Sequence, residues 1–480
     1  MSNLPQLRNY QLAVIEGVRE QMKQGHRRIL VVVPTGGGKT TIGGSIIHSS
    51  VSKGHRVLWL AHRKELVEQA HERISDRHKG FGIPAGVMMA GHPPRRKHAV
   101  QVASIATLIR RDLPTAKVVL VDEAHHSVSP SFLNMLDKYP DAVVIGLTAT
   151  PYRLDGRGLG DVYTAIVAPV SIGDLQAQGY LTPVRYFGTR KDLEPKLDTV
   201  KTVGGDYKND ELYKLFDKRA LYDGVVANYV KFANASRAIV FNINVEHSLK
   251  VMEAFRAAGI AAYHVDGETP RAERESILAA FKRGEFEVLC NVNILTEGFD
   301  LPAIETVILN RATKSKSLYL QMVGRGLRPA PGKSACTVID QGGNVRHFGP
   351  VEHPEEHSLE ATPKRKSGSG ATSAPPMKTC PQCERLDLLF VQQCPECGHV
   401  YSSGEMKLEQ EEFLELTDFL PKNVVVPGAK KPVPDHLKKS WLDMSKEELK
   451  EYATIQGYKP GWVYCQLKRQ EQAQEGAMAA

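Results

Sequence analysis

Short apolar runs recur along the first third of the chain, each followed by a polar stretch with helical spacing. Ile29 to Val33, Val57 to Ala61, Val100 to Ser104, Val118 to Val121 and Val143 to Leu147 are the clearest. Continuous runs of this length suit strands buried on both faces, as a parallel sheet flanked by helices requires. Ahead of the first run, Leu12, Ile15 and Val18 recur at one-face helical spacing. The alternation through about residue 180 predicts one doubly wound α/β domain. From 184 to 235 the rhythm is lost among charges and Gly204-Gly205, a passage into a second domain. It then resumes, with strands at Arg237 to Phe241, Ala262 to Val265 and Glu287 to Val292, and helices at Val245 to Ala258 and Arg271 to Phe281.

The chemistry gathers where these runs end. After Val33 comes Pro34-Thr35-Gly36-Gly37-Gly38-Lys39-Thr40-Thr41. Three glycines let the backbone wrap a triphosphate so that N–H groups point inward, and the following helix N-terminus adds partial positive charge. Lys39 then reaches the β- and γ-phosphates, Thr40 carries the hydroxyl for Mg²⁺, and Thr41 offers a second hydroxyl. Upstream, Arg8 and Gln11 suit reading of an adenine edge, the Gln amide having both a donor and an acceptor. A solvated helix start would need the same residues.

Val118 to Val121 delivers Asp122-Glu123-Ala124-His125 to a strand end. Paired carboxylates beside a phosphate loop divide labour: Asp122 holds the Mg²⁺ shell, and Glu123 orients and deprotonates the attacking water. Arg63, Ser104 and Thr107 follow other strand ends, where they suit phosphates of a nucleic-acid strand or helix caps. Thr148 and Thr150 suit a relay of nucleotide state or a strand-end turn. After Val292, Thr296 is placed to bond a phosphate and Asp300 to accept from a ribose hydroxyl. In Tyr319 to Arg328, helical spacing puts Gln321, Arg325 and Arg328 on one face, with Leu320, Val323 and Leu327 as the packed stripe. Two aligned arginines repel unless a polyanion such as a triphosphate lies opposite.

Taken in order, Arg8 to Gln11, Thr35 to Thr40, Ala61 to Gln69, Asp122 to His125, Thr148 to Thr150, Thr296 to Asp300 and Gln321 to Arg328 resemble the motifs of superfamily 2 helicases and translocases of the DEAH-box sort. The resemblance spans residues 7 to about 345. It implies two tandem RecA-like domains, 1–183 and 184–346, with ATP between them. Lys39, Thr40, Asp122 and Glu123 come from the first, and Arg325 and Arg328 look like arginine fingers from the second. It also implies nucleic acid crossing both domains near Arg63, Ser104 and Thr296. Gln321-Met322 stands where DEAH-box RNA helicases commonly have Gln-Arg, which leans towards DNA.

Composition adds three points. A net charge of +8 favours a polyanionic partner. No stretch approaches the ~18 uncharged apolar residues of a membrane span, and Met1 to Tyr10 lacks a signal-peptide plan, so the expected location is the cytoplasm. Of the seven cysteines, Cys380, Cys383, Cys394 and Cys397 form two Cys-x-x-Cys knuckles, which in a reducing compartment point to a tetrahedral Zn²⁺ site. The knuckles define a ribbon at 379–402 after a linker at 347–378 rich in Ser, Gly, Lys and Pro. A motor followed by such a ribbon resembles the RadD-type bacterial helicases, a family implicated in DNA repair. The tail, 403–480, ends in a small helical module introduced by the Ser445 to Glu448 capping box. The expected activity is an ATP-dependent DNA helicase or translocase. The other readings are an ATP-switched branch-recognition protein and the motor of a restriction assembly.

Overall fold

The computed structural model describes residues 4–92, 97–151, 158–188, 197–217, 219–296, 298–353, 357–360, 374–402, 434–437, 444–456, 463 and 467. The chain divides into two compact units, Met1–Ser367 with Thr372–Phe413, and Gly368–Ala371 with Leu414–Ala480.

The first unit opens with α1 (Asn9–Lys23), β1 (Arg28–Val32) and α2 (Lys39–Val51), then β2 (Val57–Ala61), α3 (Lys64–Ser75), β3 (Ala85–Met88) and β4 (Val100–Ser104). A single turn, α4 (Ile105–Leu108), leads to β5 (Val118–Asp122), α5 (Pro130–Leu136), β6 (Val143–Thr148), β7 (Ala165–Val167) and α6 (Ile172–Ala177). The seven strands form one parallel sheet in the order β3-β4-β2-β5-β6-β1-β7. Alternation along each strand sends Ile29, Val31 and Trp59 into one buried layer and Leu30, Val32, Leu58 and Leu60 into the other. Both faces are therefore covered, which is why these strands read as unbroken apolar runs. Each fully buried aliphatic side chain contributes roughly 1.5–3 kcal/mol.

The second sheet begins at β8 (Val184–Gly188), inside the stretch whose pattern is hard to read. A two-residue-per-strand hairpin follows, β9 (Thr202–Val203) and β10 (Asp206–Tyr207), then α7 (Asn209–Phe216) and α8 (Arg219–Ala233). The regular alternation is β11 (Ala238–Asn242), α9 (Val245–Ala257), β12 (Ala262–Val265), α10 (Arg271–Arg283), β13 (Val288–Asn291), β14 (Thr306–Asn310), α11 (Lys316–Gly324), β15 (Cys336–Asp340) and α12 (Asn344–Phe348). Six parallel strands run in the order β12-β13-β11-β14-β15-β8. The expected α/β architecture of two parallel, RecA-like sheets is present.

The structure departs from the sequence pattern in α11. The expected helix through Arg328 stops at Gly324, with Arg325 as its C-cap. Bonds from Arg325 N to Met322 O, Gly326 N to Val323 O and Leu327 N to Gly324 O tighten the end into a turn. Gln321 is thus helical and Arg325 and Arg328 leave on separate paths, so the three do not share a helix face.

A small antiparallel hairpin, β16 (Met377–Thr379) and β17 (Leu386–Leu388), carries the first cysteine knuckle and starts inside the stretch expected to be linker. It bridges the edge strand β8 through Phe187 and Arg385. In the second unit, α13 (Lys446–Gln456) has the expected capping box, Ser445 N donating to Glu448 and Glu448 N to Ser445 Oγ. It packs Leu449 and Tyr452 with Leu437 and Met444. Most of the expected second helix lies outside the described residues.

Candidate nucleotide and nucleic-acid site

The loop between β1 and α2 is shaped by glycine. Gly38 caps α2 at φ 80°, a left-handed conformation in which a side chain is strained, and a Cβ there would lie 2.6 Å from Gln11 Nε2. Tyr10 OH and Gln11 Nε2 both donate to Gly37 O, at 2.8 and 3.3 Å. Gln11 Oε1 accepts from Arg8 N at 3.0 Å, so its amide braces the loop and caps α1 at once. The Arg8 guanidinium stacks over Tyr180 at 4.3 Å, a partner with no signal in the sequence. Thr40 and Thr41 lie half-buried in the first turn of α2, and Thr41 Oγ1 accepts from Arg73 at 3.3 Å.

Asp122 ends β5 and Glu123 follows at φ 45°, ψ 58°, an unusual backbone for a residue with a side chain. Such conformations cost about 1–3 kcal/mol and persist where the surroundings hold them. Here Glu123 N donates to Asp122 Oδ1 at 3.0 Å. The turn aims Glu123 at the loop, with Oε1 3.4 Å from Lys39 Nζ and Oε2 3.5 Å from His125 Nδ1. His125 continues to Thr148 Oγ1 at 3.2 Å, and Thr148 Oγ1 donates to Thr150 O. Thr150 Oγ1 then meets Ser317 Oγ of α11 at 2.6 Å. A chain of polar contacts therefore runs from the carboxylates of the first sheet into the second.

Two further approaches bring the sheets together. A Cβ on Gly324 would fall 2.7 Å from Thr35 Cβ, so the end of α11 rests directly on the phosphate loop. A Cβ on Gly36 would lie 3.5 Å from Arg328 Cγ. Arg328 pairs with Asp300, and Arg325 donates to Thr296 O at 2.8 Å and to Phe299 O at 2.5 Å. The two arginines thus hold the 296–300 loop while Arg328 borders the phosphate loop. Gln321 is buried in α11.

The expected nucleic-acid residues sit at the carboxyl edges of their sheets. Arg63 is the N-cap of α3, Ser104 is the buried last residue of β4, and Thr107 is half-buried in α4. Thr296 is buried and donates to Asn293 O at 3.1 Å. Gln69 of α3 donates to Gly298 O, which brings the loop bearing Thr296 to the helix headed by Arg63. Glu297 lies outside the described residues.

The four knuckle cysteines converge, their sulfurs all within 4.8 Å of one another. Cys380 and Cys397 are 3.6 Å apart and Cys383 and Cys394 3.5 Å. Tetrahedral zinc with Zn–S bonds of about 2.3 Å spaces its sulfurs about 3.8 Å apart, so the donor set fits that ion. Burial works against a Cys380 thiolate, but hydrogen bonds from the backbone N–H groups of Cys383 and Gln382 and from neighbouring thiols bring its pKa down to about 7, while burial raises the thiols of Cys383 and Cys394. Among the described residues no helix is long and apolar enough to cross a membrane.

Family models match both sheets: the res subunit of type III restriction enzymes over residues 4–153, and the helicase conserved C-terminal domain over 219–330. A 51.5 kDa protein of a Lactococcus phage (isolate 7-9) is 32% identical over 418 residues, 86% of this chain and 87% of that protein. A Saccharomyces cerevisiae protein named as the ATP-dependent helicase IRC3 is 33% identical over 358 residues, 70% of this chain, which spans 51% of that longer relative. The fold is similar to a fragment named as the HsdR subunit of a type I restriction enzyme from Vibrio vulnificus YJ016, with TM-score 0.57, 22% identity and coverage of 72% of this chain and 65% of that one. With a phosphate loop, a strand-end Asp-Glu pair and an arginine turn meeting between two such sheets, the chain belongs to the superfamily 2 helicases and is an ATP-hydrolysing enzyme.

Proposed function

We propose that the chain is a motor that couples ATP hydrolysis to movement along, or separation of, DNA strands. The carrying observation is the meeting of the two sheets at the phosphate loop, where Gly324 rests on Thr35 and Arg328 borders Gly36. When bound, Mg²⁺-ATP supplies the γ-phosphoryl group that water attacks. Lys39 and the backbone of Thr35 to Gly38 hold the phosphates, and Thr40 and Asp122 hold the metal's shell. Glu123, kept at the loop by its turn and by Lys39, orients the water and accepts its proton. Arg328 and Arg325 neutralise charge that develops on the phosphoryl oxygens once the domains close.

The Asp-Glu-Ala-His sequence at Asp122 to His125 supports assignment to the DEAH-box sort, and the cysteine ribbon after the motor supports the RadD-type reading and a role in DNA repair. DNA is favoured by the restriction-enzyme description of the matching family and by Gln321-Met322. Arg63, Ser104, Thr107 and Thr296 contact its backbone, and the ribbon holds Zn²⁺. The same family description supports a second reading, the motor half of a restriction assembly. Measuring ATP turnover with single-stranded DNA, duplex DNA, forked DNA and RNA added separately is the test. The motor reading expects stimulation, greatest with a DNA. Turnover indifferent to every nucleic acid would end it, and stimulation by RNA alone would overturn the choice of track.

A further inference from the structure

Between β8 and α7 the chain makes the short hairpin β9–β10, whose arm from Lys201 to Gly204 is exposed. Its base is fixed to the second sheet by one carboxylate. Asp206 Oδ2 accepts from Thr313 Oγ1 at 2.7 Å and lies 3.8 Å from Arg311 Nη2, while Oδ1 accepts from Lys314 N at 2.7 Å. Arg311 is only 5% exposed, and burial works against its charge while Asp206 supports it. The arm is held on its other side by Lys314, whose ammonium donates to Thr202 Oγ1 and covers the Tyr207 ring.

Two of the partners of Asp206, Arg311 and Thr313, lead towards the nucleotide site. Arg311 Nη1 donates to Asn293 Oδ1 at 3.1 Å, holding a residue at φ 58° whose carbonyl accepts from Thr296. From there the 296–300 loop bonds Arg325 through its carbonyls and Arg328 through Asp300. By the second path, Thr313 Oγ1 accepts from Ser315 N, and Ser315 Oγ caps α11, the helix that ends on Thr35.

We propose that Asp206 is a positioning residue that links the β9–β10 hairpin to the arginine turn, so that nucleic-acid-stimulated hydrolysis depends on how the hairpin is seated. This rests on the motor reading above and adds the element through which the track regulates hydrolysis. Asp206 touches neither nucleotide nor water; it acts through Arg311 and Thr313.

The test measures basal turnover, turnover at saturating single-stranded DNA, the DNA concentration giving half stimulation, and melting temperature for wild type, Asp206→Ala and Asp206→Asn. Coupling between sites of this kind is worth about 5- to 150-fold, and Asp206→Ala is expected to lower DNA-stimulated turnover about tenfold. The half-stimulating concentration should stay within about twofold to threefold of wild type, and basal turnover should fall less than stimulated turnover, so that the stimulation ratio drops. Asp206→Asn keeps an acceptor for Lys314 N and loses the charge facing Arg311, so it should fall between the two. Asp206→Ala stimulated as strongly as wild type overturns the inference, as does a parallel fall in basal turnover and melting temperature with the stimulation ratio unchanged. A wild-type chain that no nucleic acid stimulates removes the motor reading itself, a result distinct from either.

Discussion

The two edges that meet at the cleft are built by opposite means. On the first sheet, the groups at the glycine loop are placed by their own backbone: Gly38 at φ 80° turns the loop into α2, and Glu123 at φ 45° aims its carboxylate back at Lys39. On the second, Arg325 and Arg328 are held by contacts with residues 296–300, two carbonyls and one carboxylate. Arg328 is tied to the half-exposed Asp300, and on the motor reading proposed above a triphosphate would take that carboxylate's place. The difference separates a preformed receptor from an element free to switch, as a cycle of binding and hydrolysis requires.

Breaking the switching edge should have the largest effect. If Arg328 exchanges Asp300 for the γ-phosphoryl group in the transition state, Arg328→Ala should lower stimulated turnover by roughly 10³ to 10⁵ while ATP affinity changes far less. Arg328→Lys should not rescue, because an ammonium lacks the planar two-pronged geometry of guanidinium. Turnover and nucleotide affinity measured separately decide it, and near-normal turnover would leave Arg328 as a brace for the 296–300 loop alone. Breaking the preformed edge comes next. Glu123→Gln removes the base and keeps its shape, so turnover should fall by about 10² to 10⁴ with ATP binding nearly intact. A variant hydrolysing at the wild-type rate would contradict the assigned role.

The same contrast governs how much the sequence discloses. The first edge is local: residues 34–41 and 122–125 carry their chemistry in adjacent positions at the ends of strands whose two buried faces make them apolar runs. The second edge depends on residues far apart in the chain. Helical spacing groups Gln321, Arg325 and Arg328 on one face, but α11 ends at Gly324, where Gly326 packs against Cys336 and Arg325 turns to the carbonyls of Thr296 and Phe299. Strand β8 is hidden because Val184 to Gly188 mixes buried and half-buried positions and Arg185 interrupts it. The β9–β10 hairpin has only two paired residues on each side, too few for any period, so Asp206 and Arg311 could be found only in three dimensions.

A methyl group can test whether the edges really close on one another. Gly324→Ala would place a Cβ 2.7 Å from Thr35 Cβ, a distance that neither backbone can accept without moving apart. Misplacing a catalytic group by about 1 Å can cost roughly 10²-fold, and a partly relaxed contact should lower turnover by about 10- to 100-fold. The first edge alone should still bind ATP. Unchanged turnover in Gly324→Ala would mean that hydrolysis uses a different approach of the two sheets.

The smallest effect should come from the ribbon, which tests whether the second sheet's dependence on borrowed contacts extends to its border. Strand β8 lies at the sheet's edge, and the ribbon covers it: Leu386 would touch a Cβ on Gly188, and Arg185 Nη1 bonds Glu396 at 2.9 Å. Just before β8, Thr182 N donates to Leu327 O at 2.7 Å, beside Arg328. The metal's influence should therefore spread beyond the tail to this strand. Freshly purified protein under reducing conditions should carry about one metal per chain, and Cys380→Ser with Cys383→Ser should release it. A loss of about 1 kcal/mol would lower the melting temperature of a domain this size by roughly 2–4 °C. Amide exchange at Val184 to Gly188 should accelerate, because an uncovered edge opens more often than the sheet's centre. Turnover should drop only a few-fold, since Lys39, Asp122 and Glu123 stand on the other sheet. Protein without metal would refute the ribbon as a zinc site. Metal release that leaves exchange at β8 unchanged would show instead that the hairpin holds the strand without the ion.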